Sequence, residues 1–151
     1  QAAVDACVAG TDAVICVLGT RPGGTPIEDR GTRVILAAMQ SQGVRRLVAV
    51  TSMGVGDSVE QVPLFFKVLM KLALKKVMAA KEVQERLIRD SGLDWTIVRP
   101  GGLTDGPRTG RYAWGLDKSI PARRVSRADV AEFVLRQLAD AQFIGRTPAI
   151  S

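Results

Sequence analysis

The sequence predicts an α/β protein, a doubly wound parallel β-sheet in three layers with helices on both faces. Three short segments are continuously apolar and rich in β-branched residues, as buried strands are. Segments with helical spacing of apolar residues alternate with them, which is typical of right-handed βαβ units. No internal repeat or linker interrupts this alternation, so we expect residues 1–151 to form a single domain.

Two of the strands fall in the first part of the chain. The apolar run at 13–18 predicts a strand buried on both faces, and 47–51 predicts a second one. Between them, residues 32–42 present an apolar helical face and are followed by Gly43, which suits the left-handed conformation that closes helices. A short helix is expected at 4–8.

A long helix and one more strand are predicted in the second part of the chain. The helical stretch covers 64–90 and the third buried strand covers 95–98. The segment after this strand is rich in Gly, Pro and Arg and predicts a loop. A last helix is capped by Ser126, with Asp129 at its third helical position.

Composition excludes several classes of function. The chain has no histidine, which rules out Ser-His-Asp and Cys-His catalysis and His-ligated metal sites within it, and we expect no metal. Its net charge is +6, but aromatic residues make up only 5% and basic residues are scattered, so we expect no nucleic-acid partner. Cys7 and Cys16 lack zinc spacing and are predicted to be reduced core thiols. With no recognisable signal peptide, this favours the cytoplasm or an organelle stroma or matrix.

Small and hydroxyl-bearing residues follow each predicted strand, at 19–21, 51–52 and 100–102. In open parallel sheets, ligands bind beyond the carboxyl ends of the strands. Ordinary turn chemistry explains any one of these segments better than a ligand does. Their occurrence at all three strand ends favours a ligand site.

A series of motifs runs through most of the chain: Gly10-x-Asp12-x-Val14, Leu18-Gly-Thr-Arg21, Lys81-x-x-x-Glu85, Ser91-Gly-Leu-Asp-Trp-Thr-Ile-Val-Arg-Pro-Gly-Gly-Leu103 and Val125-Ser-Arg-x-Asp129. Their order resembles the atypical short-chain dehydrogenase/reductase family with NAD(P)H-binding, NmrA-like domains, which includes flavin and biliverdin reductases. The resemblance implies a Rossmann-like fold and a nicotinamide cofactor, NADP or NAD, with NADP preferred.

One part of the family pattern has no counterpart in this sequence. The opening strand, the GxxGxxG phosphate loop and the first helix of the family should precede the motifs above. We therefore expect residues 1–151 to be the C-terminal portion of a Rossmann-like domain, with its N-terminal strands missing. The strand at 13–18 would pair with one of these, so its apolar edge is expected to be exposed.

The resemblance also implies which residues contact the cofactor. The adenosine and ribose side matches Gly19, Thr20 and Arg21. The strand end that faces the nicotinamide matches Thr51 and Ser52, with Ser52 as a catalytic residue. The backbone that closes over the nicotinamide matches Pro100, Gly101, Gly102 and Leu103.

Lys81 matches the lysine that binds the nicotinamide ribose and is the second catalytic candidate implied. The alternative for Lys81 is a solvent-exposed lysine in a weak pair with Glu85, four residues on. The alternative for Ser52 is a hydroxyl that only begins a loop.

The usual proton donor of the family, a tyrosine four residues before that lysine, is replaced by Val77. An acceptor that takes its proton from solvent, such as a flavin or a quinone, is therefore favoured for hydride transfer. The alternative function is a non-catalytic NAD(P)H-binding protein that senses redox state or assists assembly.

Lys67, Lys71 and Lys75 recur every four residues on an otherwise apolar segment. This pattern fits a lid helix over the substrate pocket. It also fits a basic amphipathic helix that docks on an anionic membrane or on a protein partner.

Overall fold

The computed structural model describes residues 1–21, 23–64, 67–68, 72 and 74–151. Its α-helices are α1 (Ala2–Val8), α2 (Glu28–Gln42), α3 (Lys75–Arg89) and α4 (Arg127–Ala139), and a 3₁₀ helix covers Gly56–Gln61. Its strands are β1 (Ala13–Cys16), β2 (Arg46–Val50), β3 (Asp94–Pro100), β4 (Gly102–Thr104), β5 (Trp114–Gly115), β6 (Arg124–Ser126) and β7 (Ala149–Ile150).

The main sheet has the strand order β1-β2-β3-β7-β5. Neighbouring strands are parallel from β1 to β7, and β5 runs antiparallel to β7. The short strands β4 and β6 form a separate parallel pair. The predicted α/β fold with a mostly parallel sheet is therefore confirmed.

Helices cover both faces of the main sheet. On one face, Leu47 and Ala49 of β2 join a buried cluster with residues of α1, α2 and α3. On the other face, Val48 and Val50 pack with α4, where Phe133 is 1% exposed. Because successive side chains of a strand point to opposite faces, β2 is buried on both sides, as predicted.

The first strand differs from its prediction. β1 ends at Cys16 and is not buried on both faces, since Ile15 is 37% exposed, and Val17 just beyond the strand is 67% exposed. The physical reason is position, because β1 lies at an edge of the described sheet and α4 covers the face beside it only partly. The expected exposed apolar segment is observed here.

Helix α2 begins at Glu28 rather than at Thr32. The Glu28 carboxylate accepts a hydrogen bond from the backbone N–H of Thr20 at 3.0 Å, which ties the start of the helix to the loop before it. Gly31 lies inside the helix, where a Cβ atom would stand 2.6 Å from Leu18 Cδ1. A glycine that normally weakens a helix is therefore used here for close packing.

Both helix boundaries that were predicted from special residues are confirmed. Gly43 follows α2 with φ of 70°, and the next N–H, that of Val44, donates to the Met39 carbonyl at 3.0 Å. At the start of α4 the Ser126 hydroxyl accepts from the Asp129 N–H at 2.9 Å. These bonds satisfy backbone groups that helix ends leave without partners.

The segment after β3, predicted as a loop, contains β4, β5 and β6. Most of the segment has no regular structure, as predicted. The strands escape the prediction because each has only two or three residues, too few for a period to show in the sequence. Their pairing is set by partners far along the chain: β4 pairs with β6, and β5 pairs with β7.

The two cysteines have different environments. Cys16 is buried at the end of β1, as predicted. Cys7 is exposed, so its prediction as a core thiol is wrong. Helix α1 joins the buried cluster through Val4 and Val8 and packs beside α2, which leaves Cys7 exposed.

Part of the long predicted helix is described, and α3 occupies its second half. Of the three regularly spaced lysines, Lys71 lies outside the described residues, Lys67 is half-buried and Lys75 is exposed. Among the described residues, no helix combines the length and apolar character needed to cross a membrane.

Candidate functional site

Residues from two strand ends meet around one cavity of about 410 Å³. Ser52 follows β2, and Pro100, Gly101 and Gly102 mark the end of β3 and the beginning of β4. They come together because β2 and β3 are adjacent and parallel, so their carboxyl ends lie at the same edge of the sheet. Four of the residues implied by the family resemblance therefore share this cavity.

The cavity has mainly apolar walls, to which Met53, Val62 and Pro63 contribute. The Ser52 hydroxyl donates to the Met53 carbonyl at 2.9 Å. Among the described residues no group donates to Ser52 Oγ, which leaves the hydroxyl able to accept a hydrogen bond. Besides this hydroxyl, the polar lining residues are Arg123 and Arg124. Mainly apolar walls with a few polar groups suit a flat, weakly polar ring such as a nicotinamide.

Gly101 allows a second chain segment to pack directly on the strand end. A Cβ atom at this position would stand 2.2 Å from the Arg123 carbonyl oxygen. This distance is too short for any residue with a side chain, so only glycine fits here. The Gly101 N–H donates to the Ile150 carbonyl at 2.9 Å and the Gly102 N–H donates to the Arg123 carbonyl at 2.8 Å. Both N–H groups are used within the protein, so the backbone offers a close surface here and no free donors.

Thr51 lies beneath the cavity and does not line it. Its backbone N–H donates to the Val98 carbonyl at 2.9 Å, and its hydroxyl donates to Glu85 Oε1 at 2.8 Å. The residue is buried, with 5% exposure. Thr51 therefore anchors the end of β2 to α3.

Glu85 and Arg99 form a buried ion pair at the centre of a network of charges that sequence reasoning missed. Arg99 donates to the Glu85 carboxylate through Nε at 3.0 Å and through Nη2 at 2.7 Å. Arg99 also pairs with Asp57 at 2.7 Å, and Arg89 pairs with Glu85 at 3.1 Å. Burial opposes the charged guanidinium, but Glu85 and Asp57 raise the pKa of Arg99. The network joins α3, β3 and the 3₁₀ helix at Gly56–Gln61.

One signal in the sequence points to this network. Arg99 is a charged residue at the end of an apolar segment that is otherwise typical of a buried strand. A buried charge needs a partner of opposite sign, since desolvation is costly. The partner Glu85 is on another element, so only the fold identifies it. No cluster of potential metal ligands occurs in the part of the chain that the structure describes.

Lys81 lies on α3, half-buried, and does not line the Ser52 cavity. Burial lowers the pKa of Lys81, and the neighbouring charges of Glu28 and Glu85 act in the opposite direction. The alternative of an exposed Lys81–Glu85 pair is wrong, because Glu85 is 3% exposed and is bound to Arg99.

Gly19, Thr20 and Arg21 follow β1 at the same edge of the sheet but do not line the Ser52 cavity. The Thr20 hydroxyl donates to Glu28 at 2.6 Å. Burial of Glu28 opposes its ionisation, but the hydrogen bonds from Thr20 lower the pKa of Glu28. Thr20 is thus held by α2, whereas Arg21 is exposed.

Leu103 is separated from the other predicted residues. It lies on β4, 43% exposed, and lines a different cavity of about 330 Å³ together with Ile15 and Val17. The structure does not bring Leu103 and Ser52 to the same cavity.

A protein-family model described as NAD(P)H-binding matches residues 1–141. An uncharacterised chloroplastic protein of Arabidopsis thaliana is 35% identical over 133 residues, which cover 85% of this chain and 48% of the plant protein. The oxidoreductase YlbE from Lactococcus lactis has a similar structure, with a TM-score of 0.81 and 22% identity over 97% of this chain and 64% of its own. ChuY from Escherichia coli O157:H7, an anaerobillin reductase, has a TM-score of 0.78 and 27% identity over 99% of this chain and 69% of its own.

The chain thus spans about half the length of its curated plant relative. At 22% identity the similarity to YlbE supports the fold alone, and this fold is Rossmann-like.

Proposed function

Because the chain belongs to the NAD(P)H-binding family, we propose that it forms the nicotinamide side of the cofactor site in a reductase. The proposed reaction is hydride transfer to a flavin-like or quinone-like acceptor. The observation that carries this proposal is the cavity at the ends of β2 and β3, which Ser52, Pro100, Gly101 and Gly102 line together. The position agrees with where open parallel sheets bind ligands.

The proposed roles of Ser52, Pro100 and Gly101 follow from their position on the cavity wall, and that of Lys81 follows from the family resemblance. The bound cofactor supplies the hydride. Ser52 is proposed to orient the nicotinamide ring through its hydroxyl, and Pro100 and Gly101 to form the wall against the ring. Lys81 is proposed to hold the nicotinamide ribose. Thr51 keeps the strand end in place through Glu85, and so acts on the site indirectly.

On the adenosine and ribose side we propose Gly19, Thr20 and Arg21 as contacts. The exposed guanidinium of Arg21 suits the additional phosphate of NADP, which supports NADP over NAD. Leu103 lines another cavity, so we propose it as a cofactor contact only if the bound cofactor extends across β4.

The proposed acceptor takes its proton from water. Val77 stands where the family carries a tyrosine, and the single tyrosine, Tyr112, lines a different cavity. A flavin or quinone ring needs no proton donor placed by the protein, because it is reduced before it is protonated by solvent.

A second candidate function is a non-catalytic redox sensor or assembly protein that binds NAD(P)H. The observation that favours it is that the Ser52 hydroxyl donates to the Met53 carbonyl, so the cavity lacks a proton donor for any acceptor that, unlike a flavin or a quinone, needs one from the protein. Its docking on a membrane or a protein would use the segment that contains Lys67 and Lys75, where Leu64 and Leu72 are 77% and 82% exposed. The proposed location is the cytoplasm or an organelle stroma, and the plant relative is described as chloroplastic.

We also infer that residues 1–151 are the C-terminal portion of a larger Rossmann-like domain. The support is the exposed apolar segment around Ile15 and Val17 at the edge of the sheet, which further strands and a helix of the same domain would cover. Measurements of function therefore require the full-length protein that contains these residues.

The test begins with titration of NADPH and NADH, followed by nicotinamide fluorescence. We expect NADPH to bind more tightly than NADH. Turnover is then measured with a flavin and with a quinone, in the unchanged protein and in Ser52→Ala. If Ser52 orients the ring, Ser52→Ala lowers kcat/KM at least about tenfold, the value of roughly one hydrogen bond.

Ser119→Ala is the matched control, because Ser119 lies in an exposed loop outside the cavity. It is expected to leave turnover unchanged. Cofactor binding without turnover of any flavin or quinone supports the sensor and contradicts the reductase. Absence of binding to either nicotinamide contradicts both.

A further inference from the structure

A second and larger cavity, of about 680 Å³, adjoins the Ser52 cavity. Arg123 and Arg124 line both cavities. Their segment is the one that packs on Gly101, with the Arg123 carbonyl bound by the Gly102 N–H at 2.8 Å. A single elongated ligand can therefore contact both cavities across this wall.

The arginines near this wall fall into two groups. Arg108 pairs with Glu132 at 3.7 Å, and Arg127 pairs with Asp105. The second group lines the larger cavity and consists of Arg111, Arg123 and Arg124. Among the described residues, the side chains of these three arginines have no acidic partner and make no hydrogen bond. Arg111, Arg123 and Arg124 are thus exposed residues that line one concave surface, and their guanidinium groups have no acidic partner among the described residues.

Asp129 contributes a negative charge to the same cavity, but its carboxylate is already saturated. Oδ1 accepts from the N–H groups of Thr109 at 2.7 Å and Gly110 at 2.9 Å. Oδ2 accepts from the hydroxyls of Thr109 at 2.9 Å and Ser126 at 2.8 Å. Asp129 therefore stabilises the surrounding loop and is not available to pair with the arginines.

Two other lining residues, Tyr112 and Ser151, add an aromatic side chain and a hydroxyl to the cavity. Tyr112 packs edge-on against Phe133, with ring centroids 6.3 Å apart, and so forms a fixed aromatic wall. The Ser151 hydroxyl accepts from the Arg123 backbone N–H at 2.6 Å, which holds the arginine segment against the end of the chain that the structure describes.

We propose that this cavity binds an oxyanion group, a carboxylate or a phosphate, carried by the acceptor whose ring occupies the Ser52 cavity. Guanidinium groups bind such oxyanions through paired, charge-assisted hydrogen bonds. Three arginines against the single carboxylate of Asp129 leave the cavity with a net positive charge, which attracts anions. The proposal deepens the proposed function and rests on it, since it names the class of acceptor: a planar redox ring with an anionic side group.

The test compares acceptors that share a reactive ring and differ in charge. Riboflavin and FMN have the same ring, and FMN adds a phosphate. A neutral benzoquinone and the same quinone with a carboxylate side chain form the second pair. With the full-length protein we expect the anionic member to have a KM at least about tenfold lower, at similar kcat, and this preference to weaken as salt screens the charges.

The double variant Arg111→Gln, Arg124→Gln is expected to abolish the preference by raising KM for the anionic acceptor. The KM for riboflavin is compared in Arg111→Gln alone, and it should stay within about twofold because Arg111 does not line the Ser52 cavity. Arg108→Gln is the matched control, because it removes an arginine of the same region that is already paired with Glu132. A preference for FMN alone assigns phosphate, and one for the carboxylated quinone alone assigns carboxylate. Equal KM values within both pairs, or a preference that survives in the double variant, overturn the proposal.

Flavin fluorescence quenching gives a readout that needs no turnover. Tighter binding of FMN than of riboflavin, lost in the double variant, supports the oxyanion site even if no hydride transfer is found. Turnover of riboflavin with equal binding of both flavins retains the proposed reductase and rejects the oxyanion site. The two proposals can therefore fail separately.

Discussion

Arginines at the same edge of the sheet have two different environments. Arg99 is 3% exposed, and its guanidinium is bound by Glu85 and Asp57. Arg111 and Arg124 are exposed on the wall of a cavity and have no acidic partner among the described residues. We refer to these regions as the Glu85–Arg99 network and the arginine cavity.

The difference between the regions is one of solvation. A buried guanidinium loses its water and depends on its carboxylates, so the fold and the network require each other. An exposed guanidinium keeps its water and costs the fold little, which leaves it available to a ligand. The burial of the side chain, and not the residue type, therefore distinguishes a structural arginine from a candidate ligand-binding arginine.

The largest effect is expected from breaking the network with Glu85→Gln. This change leaves Arg99 buried without its main counter-charge, and removal of one partner from a buried pair costs about 3–5 kcal/mol in the free energy of unfolding. Urea unfolding measures it. Glu82→Gln, at an exposed position of the same helix, is the control and should change stability by less than about 0.5 kcal/mol. A loss below about 1 kcal/mol for Glu85→Gln would remove the basis of the comparison.

The next effect concerns the wall between the Ser52 cavity and the arginine cavity. In Gly101→Ala the new Cβ would stand 2.2 Å from the Arg123 carbonyl oxygen, so the arginine segment must move. Overpacking of this kind typically costs about 1–3 kcal/mol. Gly102→Ala is a close control, because its Cβ would have ordinary contacts of 3.7 and 3.8 Å. Equal unfolding midpoints for the two variants would contradict the close packing.

The third prediction concerns the charge of Asp129, the acidic residue among those that line the arginine cavity. Burial opposes its ionisation, but hydrogen bonds from Gly110, Ser126 and Thr109 lower its pKa from 3.8 to about 2. A carboxyl group with a lowered pKa stabilises the fold above its ordinary pKa, and this contribution is lost as the pH falls towards 2. Asp129→Asn should therefore be less stable than the unchanged protein at pH 7, with a difference that shrinks between pH 4 and 2 in urea unfolding. A difference that does not depend on pH would show that the charge is not the cause.

The smallest effect on stability is expected in the arginine cavity itself. Arg111→Gln and Arg124→Gln remove exposed, unpaired charges, so each should alter the free energy of unfolding by less than about 0.5 kcal/mol. Thermal unfolding of both variants measures this. A substantial loss of stability would place these arginines with Arg99 as structural residues, and a gain would indicate repulsion between neighbouring guanidinium groups.

Much of the fold is predictable because its signals are local. The continuous apolar runs at β2 and β3 predict strands buried on both faces, and both are found. Gly43 and Ser126 predict helix boundaries because each satisfies backbone groups of its own turn. The short strands β4, β5 and β6 escape prediction because distant pairing, and not their own pattern, makes them strands.

The candidate site is predictable in part for the same reason. The small residues after the strands mark the edge where a ligand would bind, and Ser52, Pro100, Gly101 and Gly102 share a cavity there. The exact surroundings of Thr51 and Leu103 depend on packing across elements, and neither lines that cavity.

The sequence by itself determined the α/β class, the order of the main helices and the three longer strands, the family of the chain and the edge of the sheet where a ligand site is expected. These follow from periodicity, from capping residues and from motifs, all of which act over a few residues. The tertiary structure alone decided that Glu85 and Arg99 are buried partners and that Arg111, Arg123 and Arg124 surround one cavity. The physical reason is that burial and charge pairing depend on distances between segments far apart in the chain, and folding sets those distances.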